Sequence, residues 1–267
     1  MSARWSLVYK RAVNKDGSLF FPERLSEEFL AEARRTMGSY LFSNQYENRI
    51  IPDEKKVFKK DWLRYYQEVP SNTNTFVFID PAISQADTAD YTALVVVKVD
   101  AEQNWYVVVA NRYKINPTQL IQMVFKVFDE YKPVAIGVED VAFQKALVHF
   151  IYEEMKSRNK YIPVTGVNPG IDKSKEMRIL GLVPRFEYSK MFLNRGLVDL
   201  ETEILQFPRA QHDDLLDALS SVEKIVHYPT KERKVLNEPA SPNHPDYERW
   251  FIQQRIKQSN QPDEDFG

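Results

Sequence analysis

Cysteine is absent from all 267 residues. That excludes disulfides and thiolate zinc sites, and it suits a reducing compartment. No apolar run approaches the ~20 residues of a membrane-spanning helix. The opening Met1-Ser2-Ala3-Arg4-Trp5 lacks the apolar stretch of a secretory signal. A cytosolic protein without a membrane partner is therefore expected. A surplus of one charge sign is also missing: net charge is -2. No global basic field announces a nucleic acid, so contact with one would have to use local patches. Internal repeats are absent. What remains is ordinary globular composition, 43% apolar and 28% charged. The length allows one large domain or two smaller ones, with a core of useful size.

Pattern divides the chain into three stretches. Residues 1–70 read as an irregular arm with one helix. Ser26 can cap it, Glu27 and Glu28 suit its first turn, Arg34 and Arg35 its last, and Gly38 can end it. The aromatics that follow, among them Phe42, Phe58 and Trp62, can pack the arm on a larger body. Residues 71–228 carry regular structure. Strands are expected at 75–80, 91–99, 105–111, 134–139 and 162–167. Helices are expected at 117–131, 142–158, 199–206 and 213–228, with a basic helix capped by Asp172 and a small hairpin at 185–196. The first three strands have short connections and should be antiparallel, while the later ones cross over through helices and should be parallel. The fold class is thus α/β, a mixed sheet flanked by helices. Residues 229–267, interrupted by five prolines, read as a largely disordered tail.

Acids end the best-patterned elements. Asp80 closes Thr75-Phe76-Val77-Phe78-Ile79, Glu139 and Asp140 close Val134-Ala135-Ile136-Gly137-Val138, and Asp213 and Asp214 open the apolar helix that follows. Each acid alone suits a turn or a helix cap. Gathered together they would repel severely unless a hard divalent cation held them. Carboxylates ending strands about 4.8 Å apart can share an ion. All-oxygen ligands suit Mg²⁺ or Mn²⁺ rather than zinc. Two ions ~3.5–4 Å apart can clamp the attacking and leaving oxygens of a phosphodiester. Asp80, Glu139, Asp213 and Asp214 are therefore the expected metal-binding and catalytic residues. Which of Asp213 and Asp214 ligates stays open, because neighbouring helical side chains diverge by about 100°. Asp217, one turn on, faces either the site or a structural partner. His212 is open between a proton or phosphate contact and an exposed cap.

The motifs FVFIDPA with DYTALVVV, AIGVEDVAFQKAL, KSKEMR and FPRAQHDDLLDALS together resemble the nuclease domain of tailed-phage terminase large subunits, over roughly residues 71–228. FPERLSEEFLAEARRTMGSYLFSNQYENRIIP in the arm is similar to the stretch leading out of the terminase ATPase domain. The resemblance implies a ribonuclease H-like fold. It implies a two-metal endonuclease that cuts concatemeric viral DNA during packaging in the host cytoplasm, with double-stranded DNA, the small terminase subunit and the portal or procapsid as partners. It also makes Asp90 a candidate acid. Lys173, Lys175 and Arg178, on the basic helix, are candidate contacts to the DNA backbone. No GxxxxGK[ST] loop is present, so no ATPase is expected in this chain, which would be a fragment or half of a split protein. Two rival readings are another ribonuclease H-like enzyme of resolvase or integrase type, and a non-catalytic DNA-gripping or portal-docking module.

Overall fold

A computed structural model of the chain describes residues 10–48, 57–81, 91–139, 144–168 and 174–230. Residues Met1–Pro229 fold as one compact unit; of a second, Thr230–Gly267, only Thr230 is described. Asp90, Asp140, Asp172, Lys173 and almost all of the expected tail lie outside the described residues. Among the described residues, no helix is long and apolar enough to cross a membrane.

Among the described residues seven strands form one sheet: β1 (Arg64–Tyr65), β2 (Thr73–Asp80), β3 (Thr92–Asp100), β4 (Trp105–Tyr113), β5 (Ala135–Glu139), β6 (Val164–Val167) and β7 (Met191–Leu193), in the order β1-β7-β4-β3-β2-β5-β6. β2, β3 and β4 pair antiparallel. β5 joins β2 in parallel and β6 joins β5 likewise. The expected mixed sheet is therefore observed. Two strands were not expected. The stretch 185–196, read as a hairpin, instead supplies the short helix α5 (Val183–Glu187) and then β7, parallel to both β4 and β1. The arm itself adds the edge strand β1. Pieces of two and three residues are too short to carry an alternation, and they exist because the sheet edge offers unpaired backbone groups.

Side-chain parity splits the core. Phe76, Phe78, Val95, Val97 and Val99 face one side of the sheet, and Val77, Ile79, Leu94, Val96, Ile136 and Val138 face the other. The second face is covered by α2 (Pro117–Tyr131) and α3 (Gln144–Ser157). α2 starts at Pro117 after Asn116, where a helix was expected, and an Asn116–Gln119 capping box closes its first turn. The first face is covered by α4 (Lys175–Leu180), α5, α6 (Val198–Gln206) and α7 (Asp214–Ser221). α4 is capped by Ser174, whose hydroxyl accepts the Met177 N–H at 3.3 Å. α7 is buried all round, so every position from Leu215 to Ser221 is part of the interior.

The arm helix α1 (Glu27–Gln45) begins at Ser26 as expected but does not end at Gly38. Gly38 takes φ 74° and interrupts the helix, which then resumes. A side chain there would press on Val183, Pro184 and Glu187 of α5, within 3.2–3.3 Å. Glu187 Oε2 accepts the freed Ser39 N–H at 2.9 Å, capping the second half of α1 from another helix. Phe58 of the arm is buried in the main core, with Trp62 packed against it.

Candidate active site

β2 and β5 run parallel, with Ile79 beside Val138. The next residues on each strand are Asp80 and Glu139. They share the parity of Phe78 and Gly137, so both carboxyls emerge on the face that α4 and α7 cover. Gly137 is required by that face: a Cβ there would stand 2.8 Å from the Phe78 ring. The Glu139 carboxyl acts directly on that of Asp80. Burial first, then the hydrogen bond and charge of Glu139 and the charge of Asp217, push Asp80 up to about 9, against a smaller pull from Lys175.

α7 brings a second acidic group over the same strand ends. Asp213 precedes the helix, Asp214 opens it, and Asp217 lies one turn further, buried. These acids meet Lys175 at the start of α4. Its Nζ lies 2.6 Å from Asp213 Oδ1, 3.8 Å from Asp214 Oδ1 and 3.8 Å from Asp217 Oδ2. Burial alone would lower the Lys175 ammonium, but the hydrogen bond to Asp213 and the three charges outweigh it and raise its pKa. Arg178, one turn along α4, grips both oxygens of Asp217 through Nη2 at 2.8 Å. Burial nevertheless keeps Asp217 above the ordinary carboxylate range, against the guanidinium and Lys175, with Glu139 adding to the rise.

Of the expected site residues, the structure brings Asp80 and Glu139 together, and it brings Asp213 and Asp214 together around Lys175. The two groups adjoin rather than merge, linked by the field that Asp217 and Lys175 exert on Asp80. Among the described residues, no three acids or imidazoles form a ready-made ligand set for a metal ion. Lys175 and Arg178, expected to face DNA, spend their charge on the acids of α7. Asp217, ambiguous in sequence, resolves into the buried partner of Arg178. Lys224, which no motif marked, donates to the Asn168 carbonyl at 2.8 Å. Its pKa is lowered by burial and then by Arg178, while Glu139 and Asp217 act in the other direction. His212 Nδ1 stands 4.0 Å from Asp214 Oδ2, and the ring meets Tyr91 edge-on at 5.9 Å. Arg112 and Lys114 lie over Tyr91, extending the rim with positive charge.

Asp80, Glu139, Asp213 and Asp214 offer only carboxylate oxygen, the donor chemistry that a hard divalent cation takes, and among the described residues they stand as two adjoining pairs, the second held by the Lys175 ammonium.

Solved structures similar to this chain include three terminase nucleases. The nuclease domain of Thermus phage P74-26 large terminase is 16% identical, covering 67% of this chain and 98% of that one, with a TM-score of 0.44. The large terminase nuclease of thermophilic phage G20c is 16% identical, covering 63% and 97%, with a TM-score of 0.43. The human cytomegalovirus terminase nuclease domain, Mn-soaked and inhibitor-bound, is 12% identical, covering 64% and 88%, with a TM-score of 0.43. No curated protein sequence matches. The family model for the terminase RNaseH-like domain matches residues 77–222, more than half of the chain, and the chain belongs to that family.

Proposed function

We propose that this chain is a divalent-cation-dependent endonuclease that cuts double-stranded viral DNA during genome packaging. The observation that carries the reading is the pair Asp80 and Glu139 at the ends of paired parallel strands, within the electrostatic reach of the α7 acid Asp217. Asp80, Glu139, Asp213 and Asp214 would hold Mg²⁺ or Mn²⁺, two ions in the full site. Such a cation supplies Lewis acidity to a phosphodiester and makes water a nucleophile near neutral pH.

The chain's own residues do the rest. Asp80, raised by burial and by Glu139, would lose its proton to solvent on taking up its role as a ligand beside Glu139. Asp213 and Asp214 turn from Lys175, which frees an ammonium for a phosphate oxygen. Arg178 stays on Asp217 and keeps that buried acid in place. Arg112, Lys114 and His212 line the rim along which a DNA backbone would run, giving contacts that read no base sequence. The small terminase subunit and the portal are the partners that packaging requires, and the host cytoplasm is the setting. Residues 71–228 would be the nuclease, 1–70 a linker from a motor domain, and 229–267 a tail for assembly.

Supercoiled plasmid incubated with the full chain and Mn²⁺ or Mg²⁺ tests this. Wild type should nick and linearise it, and Asp80→Asn should leave it intact. Intact plasmid with both proteins overturns the reading. Cutting confined to branched DNA would instead make the chain a junction resolvase.

A further inference from the structure

Asp213 occupies the N-cap of α7, where an aspartate ordinarily turns its carboxylate back to accept a backbone N–H of the first turn. It does not do so here. Its Oδ1 goes to Lys175 instead. The N–H that it would have taken, that of Leu216, donates to Glu203 Oε2 at 2.8 Å. Glu203 sits on α6 between Leu200 and Ile204, both in the core, and is only 2% exposed. Its second oxygen, Oε1, has no hydrogen bond among the described residues. Arg112 Nη2 lies 3.8 Å from it, outside hydrogen-bond range, and offers charge alone. A carboxylate buried this deeply with one oxygen unpaired is costly. Its hydrogen bond among the described residues is to α7, the helix that carries the acids.

We propose that Glu203 is a positioning residue for the active site: it caps α7 in trans and so leaves the carboxylate of Asp213 free to hold a cation. The inference rests on the reading of Asp213 as a cation ligand. Its physical content is a competition. Without Glu203, Leu216 N–H needs an acceptor, and the N-cap carboxylate of Asp213 is the nearest one that helix geometry favours. Once turned back, Asp213 is lost to the pocket. Glu187 provides an internal contrast, since it caps Ser39 in the same manner but between α1 and α5, away from the acids.

The test is Mn²⁺ binding to the full chain by calorimetry, with amide hydrogen exchange over residues 214–217 and thermal melting alongside. Glu203→Ala should weaken Mn²⁺ about tenfold or more, as loss of a residue that orients metal ligands does, and should speed exchange at Leu216. Glu203→Asp keeps the charge but falls one methylene short of Leu216, and should behave like Ala; it carries the test if the Ala variant fails to fold. Glu203→Gln still offers an oxygen to the N–H and should recover most of the loss. Glu187→Ala should lower Tm with Mn²⁺ affinity unchanged. Wild-type affinity in Glu203→Ala and Glu203→Asp overturns the proposal, and so does a Gln variant as weak as those two. If Asp80→Asn and Asp213→Asn also bind Mn²⁺ like wild type, the ligand reading beneath it has failed.

Discussion

Asp80 and Asp100 are the last residues of antiparallel neighbours, β2 and β3, so they lie at opposite ends of the same sheet. Asp100 is buried and saturated. Oδ1 accepts from Glu102 N at 3.0 Å and Asn104 N at 2.9 Å, and Oδ2 accepts from Asn104 Nδ2 at 2.8 Å and the Tyr106 hydroxyl at 3.0 Å. The Tyr106 phenol, buried and bonded to that carboxylate, is pushed up to about 12. Among the described residues Asp80 has no such cradle: another acid, Glu139, bears on it, and burial raises it. A carboxylate that serves the fold is given donors, whereas one kept for chemistry is left with a need that a cation can meet. The same contrast separates the two faces of the sheet. Among the described residues, α2 and α3 bury only apolar side chains against their face, whereas the helices on the other face bury the acids Asp217 and Glu203.

The largest effect expected from breaking this contrast is at Arg178. Arg178→Ala strands Asp217 without its guanidinium and should cost about 3–5 kcal/mol in urea unfolding, the cost of an orphaned buried charge. A loss below about 1 kcal/mol would show that Asp217 finds another partner. Next comes Asp80→Asn, which should lower plasmid cleavage more than about a hundredfold, beyond the loss typical of residues that merely orient ligands. It should also raise Tm by a few degrees, because it removes one acid from a facing pair. A lower Tm would mean that Asp80 serves the fold after all. Asp100→Ala should do the reverse. It leaves several donors unsatisfied, should destabilise the chain by about 2–3 kcal/mol, and should leave cleavage intact at permissive temperature.

The smallest effect is a pH dependence. Burial is the main cause that raises Glu203 to about 7 from an ordinary 4.5, against the Leu216 N–H and Arg112 and with help from Asp214 and Asp213. An acid whose folded pKa lies above its unfolded one favours the fold while protonated. Its contribution is complete below about pH 4.5 and is lost as pH rises through about 7. Wild type should therefore lose stability over that window relative to Glu203→Gln. Parallel melting curves for the two proteins would remove Glu203 from the account.

Much of this was legible in one dimension because it depends on short-range pattern. β2, β3 and β4 carry runs rich in β-branched and aromatic residues and β5 a short apolar one, and their short or helical connections dictate antiparallel or parallel pairing. α2 announces itself through Asn116 and Pro117. Asp80 and Glu139 were visible because an acid directly after an apolar strand breaks the local pattern. β1 and β7 were not visible, since two or three residues carry no period and form only where an edge awaits them. The fate of Lys175 and Arg178 was hidden for another reason. A basic helix reads the same whether its charges meet phosphates or acids forty residues on, and only the packing of α4 against α7 decided between them.

The trans cap from Glu203 lies beyond any local reading, because its donor is thirteen residues away and on another helix. Period, capping chemistry and connection length act over a few residues, so they left their mark on the chain itself. Which carboxylate receives a proton, an ammonium or a backbone N–H depends on burial and on neighbours brought in from distant segments. Those exist only once the helices have docked on the sheet.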